Sequence, residues 1–243
     1  MRAAGPEYKS LNRALGKALH DYEMIREGDR ILVGLSGGAD SLSLLWMLAE
    51  RRRRVPVRYT LRAVHLDPGF GGGTEGDLAA FCARLEVPFV FERTDFGIRG
   101  HSAENRENPC FLCSRLRRKR LFEIADGWGC RTLALGHNQD DVIETLLLNM
   151  CYAGEIGTLK PLQELFAGRF RIIRPFAYAP AALIRRFARR QGLPVAENPC
   201  PSAGRSRRSA IRRLLHELYR TNPKVRGNLF HALRNVRREY LLP

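Results

Sequence analysis

Residues 30–35 (RILVGL) form a short run that is apolar at nearly every position. The run ends in Ser36-Gly37-Gly38-Ala39-Asp40-Ser41, after which Leu42, Leu45, Trp46 and Leu48 recur at helical spacing. A strand without polar alternation is buried on both faces, and such a strand leading through a glycine turn into a helix opens a parallel α/β sheet. The pattern continues. Residues 57–66, 88–92 and 131–135 read as further strands, and residues 78–85 and 112–128 as the helices between them. Upstream, Leu11, Leu15, Leu19, Tyr22 and Ile25 predict an amphipathic helix from about Glu7. After Gly154 the sequence predicts a strand at 170–173, a helix at 181–191, a Pro/Gly/Ser loop at 193–206 and two basic helices. The expected fold is therefore a doubly wound parallel α/β sheet with ligands at the carboxyl ends of its strands. Its expected divisions are an N-terminal helix (1–28), an α/β domain (29–178) and a basic helical region (179–243).

With 243 residues, the chain is long enough for one large domain or a domain with an appendage. It has no apolar run of membrane-spanning length and no signal-peptide core, so a cytoplasmic protein without a membrane partner is expected. The formal net charge is +16, and residues 183–243 hold fifteen Arg and Lys against three Glu. Such an excess calls for an acidic partner, nucleic acid before an anionic membrane, although a solvated basic face is the plainer alternative. Arg205, Arg207, Arg208, Arg212 and Arg213 precede Leu214, Leu215 and Leu218, giving a helix with one basic and one apolar face.

The turn at 36–41 carries chemistry. A strand-to-helix turn presents free amides and a helix N-terminus to phosphate, and the two glycines let the backbone approach closely. Ser36 and Ser41 add hydroxyls, and Asp40 is placed to hold Mg²⁺ beside the phosphates. No Lys follows the glycines, so this is not a Walker loop. Leu135-Gly136-His137-Asn138-Gln139-Asp140-Asp141 forms a second such junction. One carboxylate would cap the helix; two adjacent ones suit metal binding or activation of an attacking group.

Six cysteines without an export signal argue for metal binding or catalysis rather than disulfides. Cys110-Phe111-Leu112-Cys113 is open to three readings: zinc, redox dithiol or iron–sulfur ligation. A structural zinc site wants two more ligands, and no second CxxC or His pair is present. Cys200 remains as a loop cysteine, while Cys82, Cys130 and Cys151 lie in helix or strand-edge patterns.

The hexapeptide resembles the SGGxDS signature of PP-loop ATP pyrophosphatases, which cleave ATP between the α and β phosphates. The stretch from CFLCSRLRRKRLFEIA to LGHNQDD, with a later cysteine, resembles the bacterial tRNA 2-thiocytidine synthetases over residues 29–200. That resemblance implies ATP and Mg²⁺ as cofactors, with Leu35, Ser36, Gly37, Gly38, Asp40, Ser41, Val64, His65, Leu66, Gly136 and His137 around the nucleotide. His65 marks a stretch that meets adenine through its main chain. Asp40, Asp140, Asp141 and Arg117 are the implied catalytic residues, Arg117 lying in a basic stretch with Arg115, Arg118 and Lys119 that a solvated face would equally explain. The resemblance further implies a 4Fe-4S cluster on Cys110, Cys113 and Cys200, leaving one iron open to sulfide. tRNA as partner, sulfide or persulfide from a cysteine desulfurase, and a homodimer are also expected. There are departures. Ala39 stands where the family has Lys, Asn138 replaces a commoner His, and the later CxxC is reduced to Cys200. The GHN spelling is similar to related 2-thiouridine enzymes, whose flanking zinc-finger cysteines are absent here, and lysidine synthetases share the phosphate loop without a CxxC.

Overall fold

The computed structural model describes residues 5–71 and 73–240, so the first four residues of the expected N-terminal segment and the last three of the basic region lie outside it. Its elements are α1 (Pro6–Asp21), β1 (Asp29–Leu35), α2 (Ala39–Arg51), β2 (Tyr59–Asp67), α3 (Glu75–Arg84), β3 (Phe89–Arg93), α4 (Phe96–Gly100), α5 (Pro109–Gly127), β4 (Thr132–Ala134), α6 (Gln139–Tyr152), β5 (Leu162–Leu165), β6 (Phe170–Ile173), α7 (Ala181–Arg190), α8 (Arg207–Thr221) and α9 (Val225–Ala232). The strands make one six-stranded sheet in the order β3-β2-β1-β4-β6-β5. Every pair is parallel except β5 with β6, so the doubly wound expectation holds with one antiparallel edge strand added.

Successive residues of a strand point to opposite faces, and here each face meets its own core. Ile31, Val33 and Leu35 of β1, with Leu61 and Ala63 of β2, pack against α1, α2, α3 and α7. Leu32, Val64, Leu66, Leu133 and Ile172 face the other way, against Ile124, Ala125 and Leu121 of α5. This explains why RILVGL is apolar throughout: both of its faces are interior. Each fully buried Leu or Ile contributes roughly 2 kcal/mol.

The chain divides into two compact units, residues 1–138 with 161–203 and residues 139–160 with 204–243, along other lines than the boundaries at 28/29 and 178/179. The physical reason is packing. Leu11 and Leu15 of α1 and Ile184 and Phe187 of α7 belong to the same core as β1, so no break falls beside either helix. The second unit joins α6 to α8 and α9 around Ile143, Ile211 and Leu215.

In the first unit the chain leaves β1 towards β2 on one side, while β4 pairs with β1 on the other. Connections diverge at such a point and open a crevice above the strand ends, where α/β sheets bind ligands.

Candidate functional site

The turn after β1 is held open by its own side chains. The Ser36 amide donates to Ser41 Oγ at 3.0 Å, and the Ser41 hydroxyl donates to the Gly38 carbonyl at 3.1 Å. Gly37 has φ +78°, a conformation glycine adopts without strain. Gly38 is the N-cap of α2, and no side chain caps that helix. The first amides of α2, together with the helix dipole, thus form a cradle that phosphate fits. Asp40 stands in the first turn of α2. Mg²⁺ takes one or two protein carboxylates and completes its shell with phosphate and water, and Asp40 is a carboxylate that could serve.

Beside this cradle lies a cleft lined by Ser36, Gly38, His65, Leu66, Arg117 and Asn198, among others. Buried His65 has Nδ1 3.0 Å from the Leu35 carbonyl and stacks on Phe91 at 5.0 Å. Burial lowers the His65 pKa, with Arg117 adding to the fall and the Leu35 bond opposing it, so the ring is neutral at pH 7. Leu35, Val64 and Leu66 have their side chains in the cores, which leaves mainly their main-chain atoms for a ligand. Gly136 approaches the cradle from β4: a Cβ there would lie 2.9 Å from Ser41 N. His137 accepts at Nδ1 from Arg174 Nε at 3.3 Å. Arg174 is buried, and desolvation pulls its pKa down to about 10, with nearby Arg118 acting in the same direction. No sequence pattern pointed to Arg174.

The three cysteines act on one another electrostatically. Cys110 and Cys113 open α5, and Cys200 lies in the loop before α8. Burial raises the pKa of both Cys110 and Cys113, and each is raised further by the charge of Cys200, which places the late thiol within electrostatic reach of both. Arg117 acts in the opposite sense on Cys113 and also lines the cleft; its Nε is buried without a hydrogen-bond partner among the described residues. No group of three His, Cys, Asp or Glu side chains among the described residues is gathered tightly enough for a single ion. One zinc ion would need its sulfurs within about 4 Å of one another. Iron–sulfur clusters are held by cysteine thiolates, the donor type that these three positions offer.

Both outer cysteines sit in the same local turn. Asn108-Pro109-Cys110 and Asn198-Pro199-Cys200 each have the Asn side chain accepting from the Cys amide, at 3.0 and 3.1 Å.

Asp140 and Asp141 belong to the second unit, where Arg226 pairs with Asp140 at 3.1 Å and Arg208 approaches Asp141 at 3.9 Å. Buried Glu144 holds Arg212 at 2.7 Å and Arg208 at 3.3 Å. Arg205 and Arg213 make no ion pair among the described residues, and Arg207 lies over the Tyr152 ring at 4.9 Å. No described helix is long and apolar enough to cross a membrane.

Residues 7–218 match the family model described as a PP-loop domain. The tRNA-cytidine(32) 2-sulfurtransferase of Geobacter sulfurreducens is 39% identical over 97% of this chain and 93% of its own length. That of Pelobacter propionicus is 39% identical over 98% and 89%, and that of Cellvibrio japonicus 40% over 94% and 76%. Among solved structures, the U34-tRNA thiolase NcsA from Methanococcus maripaludis with its [4Fe-4S] cluster superposes with a TM-score of 0.75 at 23% identity, covering 97% of this chain and 80% of that one. The likeness to NcsA establishes the fold.

Proposed function

The chain belongs to the tRNA-cytidine(32) 2-sulfurtransferase family of PP-loop proteins, and from that premise we propose that it is an ATP-consuming enzyme replacing the 2-oxygen of a tRNA cytidine with sulfur. One observation carries the reading: Cys200 lies within electrostatic reach of Cys110 and Cys113, and Arg117 joins that group to the nucleotide cleft.

The carbonyl oxygen of a pyrimidine is a poor leaving group. In the proposed reaction it attacks the α-phosphorus of ATP, pyrophosphate leaves, and the oxygen later departs as part of AMP when sulfide takes its place on carbon. The amides at the start of α2, with Ser36 and Ser41, bind the phosphates, and Asp40 holds Mg²⁺ beside them. Arg117 neutralises charge that grows on the phosphate oxygens, acting in a site sheltered from water. Neutral His65 and the main chain of residues 64–66 frame the base of ATP. Cys110, Cys113 and Cys200 would hold a 4Fe-4S cluster, which would offer sulfide an iron without a protein ligand. The tRNA backbone meets Arg205, just before α8, and Arg207 and Arg213 on α8, with counterion release supplying affinity. Asp140 and Asp141 order this surface by holding Arg226 and Arg208.

Anaerobically purified protein incubated with bulk tRNA, ATP and sulfide is expected to yield 2-thiocytidine by nucleoside mass spectrometry, with one AMP released per sulfur inserted. ATP turnover that ignores RNA, or sulfur appearing on uridine, would contradict the proposal. Asp40→Ala is expected to retain its iron while AMP release falls.

A further inference from the structure

Cys200 has few local means of staying in place. It lies in a segment between α7 and α8 that has no helix or strand of its own. Two contacts fasten this segment to other parts of the first unit. At one end the Ala196 amide donates to the Gly37 carbonyl at 3.0 Å, so the segment is bonded directly to the phosphate loop. At the other end Ser202 Oγ lies 2.6 Å from His101 Nε2. His101 follows α4 and is itself oriented: Nδ1 is 2.9 Å from the Gly97 carbonyl, and the ring edge meets Phe70 at 5.3 Å. A carbonyl only accepts, so Nδ1 carries the proton, and in the neutral ring Nε2 accepts from the Ser202 hydroxyl.

The backbone beside His101 also meets the start of α5, which carries the other two cysteines. His101 immediately follows Gly100, where a Cβ would lie 2.9 Å from the Pro109 carbonyl and 3.5 Å from Cys113 Cβ. Between the two fastenings, Ala196, Glu197, Asn198 and Pro199 form one wall of the nucleotide cleft. Asn198 Oδ1 accepts from the Cys200 amide at 3.1 Å, so a cleft-lining side chain also orients the cysteine backbone.

We infer that His101 and Ser202 are positioning residues that hold the 196–202 strap in a single register, so that filling the sulfur site and filling the nucleotide cleft each stabilise the other. The inference rests on the cluster reading above. If iron at Cys200 orders the strap, it also orders the wall against which ATP binds. By linkage, ATP must then favour retention of the cluster by the same factor.

The test uses the full chain, reconstituted anaerobically or stripped with a chelator, and a non-hydrolysable ATP analogue followed by calorimetry. The loaded protein is expected to bind the analogue about tenfold more tightly than the stripped protein, within the usual range of coupling between sites. Equilibrium titration with the chelator should show the cluster retained more strongly by the same factor when the analogue is present. Ser202→Ala removes one hydroxyl from a partly buried loop position. It should still take up iron while the coupling falls to twofold or less, and His101→Ala should behave alike. His101→Gln, whose amide reaches Ser202 in place of Nε2, should restore most of it. Equal affinities of loaded and stripped wild type, or undiminished coupling in Ser202→Ala, would overturn the inference alone. A wild-type chain that takes up no iron under reconstitution would overturn the cluster reading and this inference with it.

Discussion

The two Asn-Pro-Cys turns make the same hydrogen bond and stand on very different foundations. Asn108-Pro109-Cys110 opens a 19-residue helix, with Asn108 as N-cap and Pro109 at its first position. That arrangement is locally self-sufficient: the missing proline amide costs nothing there, and the cap satisfies one of the helix's orphan donors. Asn198-Pro199-Cys200 opens no helix and depends on Gly37 and His101 to stay where it is. A site whose ligands come from one rigid and one tethered arm has its affinity decided by the tethered arm.

The comparison breaks most completely at the sulfurs. Cys200→Ala is expected to abolish the cluster and, with it, thiolation, a larger loss than the roughly 10–100-fold typical of changes beside metal ligands. Iron analysis and nucleoside mass spectrometry read both. Iron bound at wild-type levels would show that the tethered arm is not a ligand at all.

The paired asparagines sharpen the contrast. Asn108→Ala removes a helix cap and should cost about 1 kcal/mol of global stability, seen as a lower Tm, while iron uptake is largely kept. Asn198→Ala should leave Tm almost unchanged and weaken both iron retention and ATP binding. Swapped phenotypes would mean that the two arms have been assigned the wrong support.

Gly136→Ala probes the cradle alone. Its Cβ would press on Ser41 N at 2.9 Å, so ATP affinity should fall severalfold while iron content stays constant.

The smallest effect is a control on the core face of α1 and α2. The Tyr8 hydroxyl donates to Glu50, and burial together with that carboxylate pushes its pKa up to about 12. An unfolded tyrosine ionises near pH 10. The stability this group supplies is therefore complete below pH 10 and is lost as pH rises towards 12. Urea unfolding of Tyr8→Phe should show a shallower decline across that window than wild type, with ATP binding and iron uptake at neutral pH unaffected.

The sheet was legible because RILVGL and its companion runs are buried on both faces, which leaves a continuous apolar signature. β5 was missed because Leu162–Leu165 is a half-exposed edge strand of four residues, too short to show a period. α4 was missed because FGIRG is barely more than one turn and contains two glycines. The phosphate loop and the CxxC were legible as local motifs, and the family resemblance named Gly136 and Cys200 as their distant partners. The pairing of Asp140 with Arg226 and of Asp141 with Arg208 was not legible, because those arginines stand more than sixty residues downstream. The buried Arg174 and the His101 to Ser202 bond likewise depend on residues brought together only by the fold.

The most direct test of the central claim is anomalous diffraction at the iron edge from anaerobically grown crystals of the loaded protein. The account predicts iron density bonded to the sulfurs of Cys110, Cys113 and Cys200 together, with one iron lacking a protein ligand and the cluster beside the Arg117-lined cleft. Iron held by the α5 pair alone, with the Cys200 sulfur turned away, would contradict it.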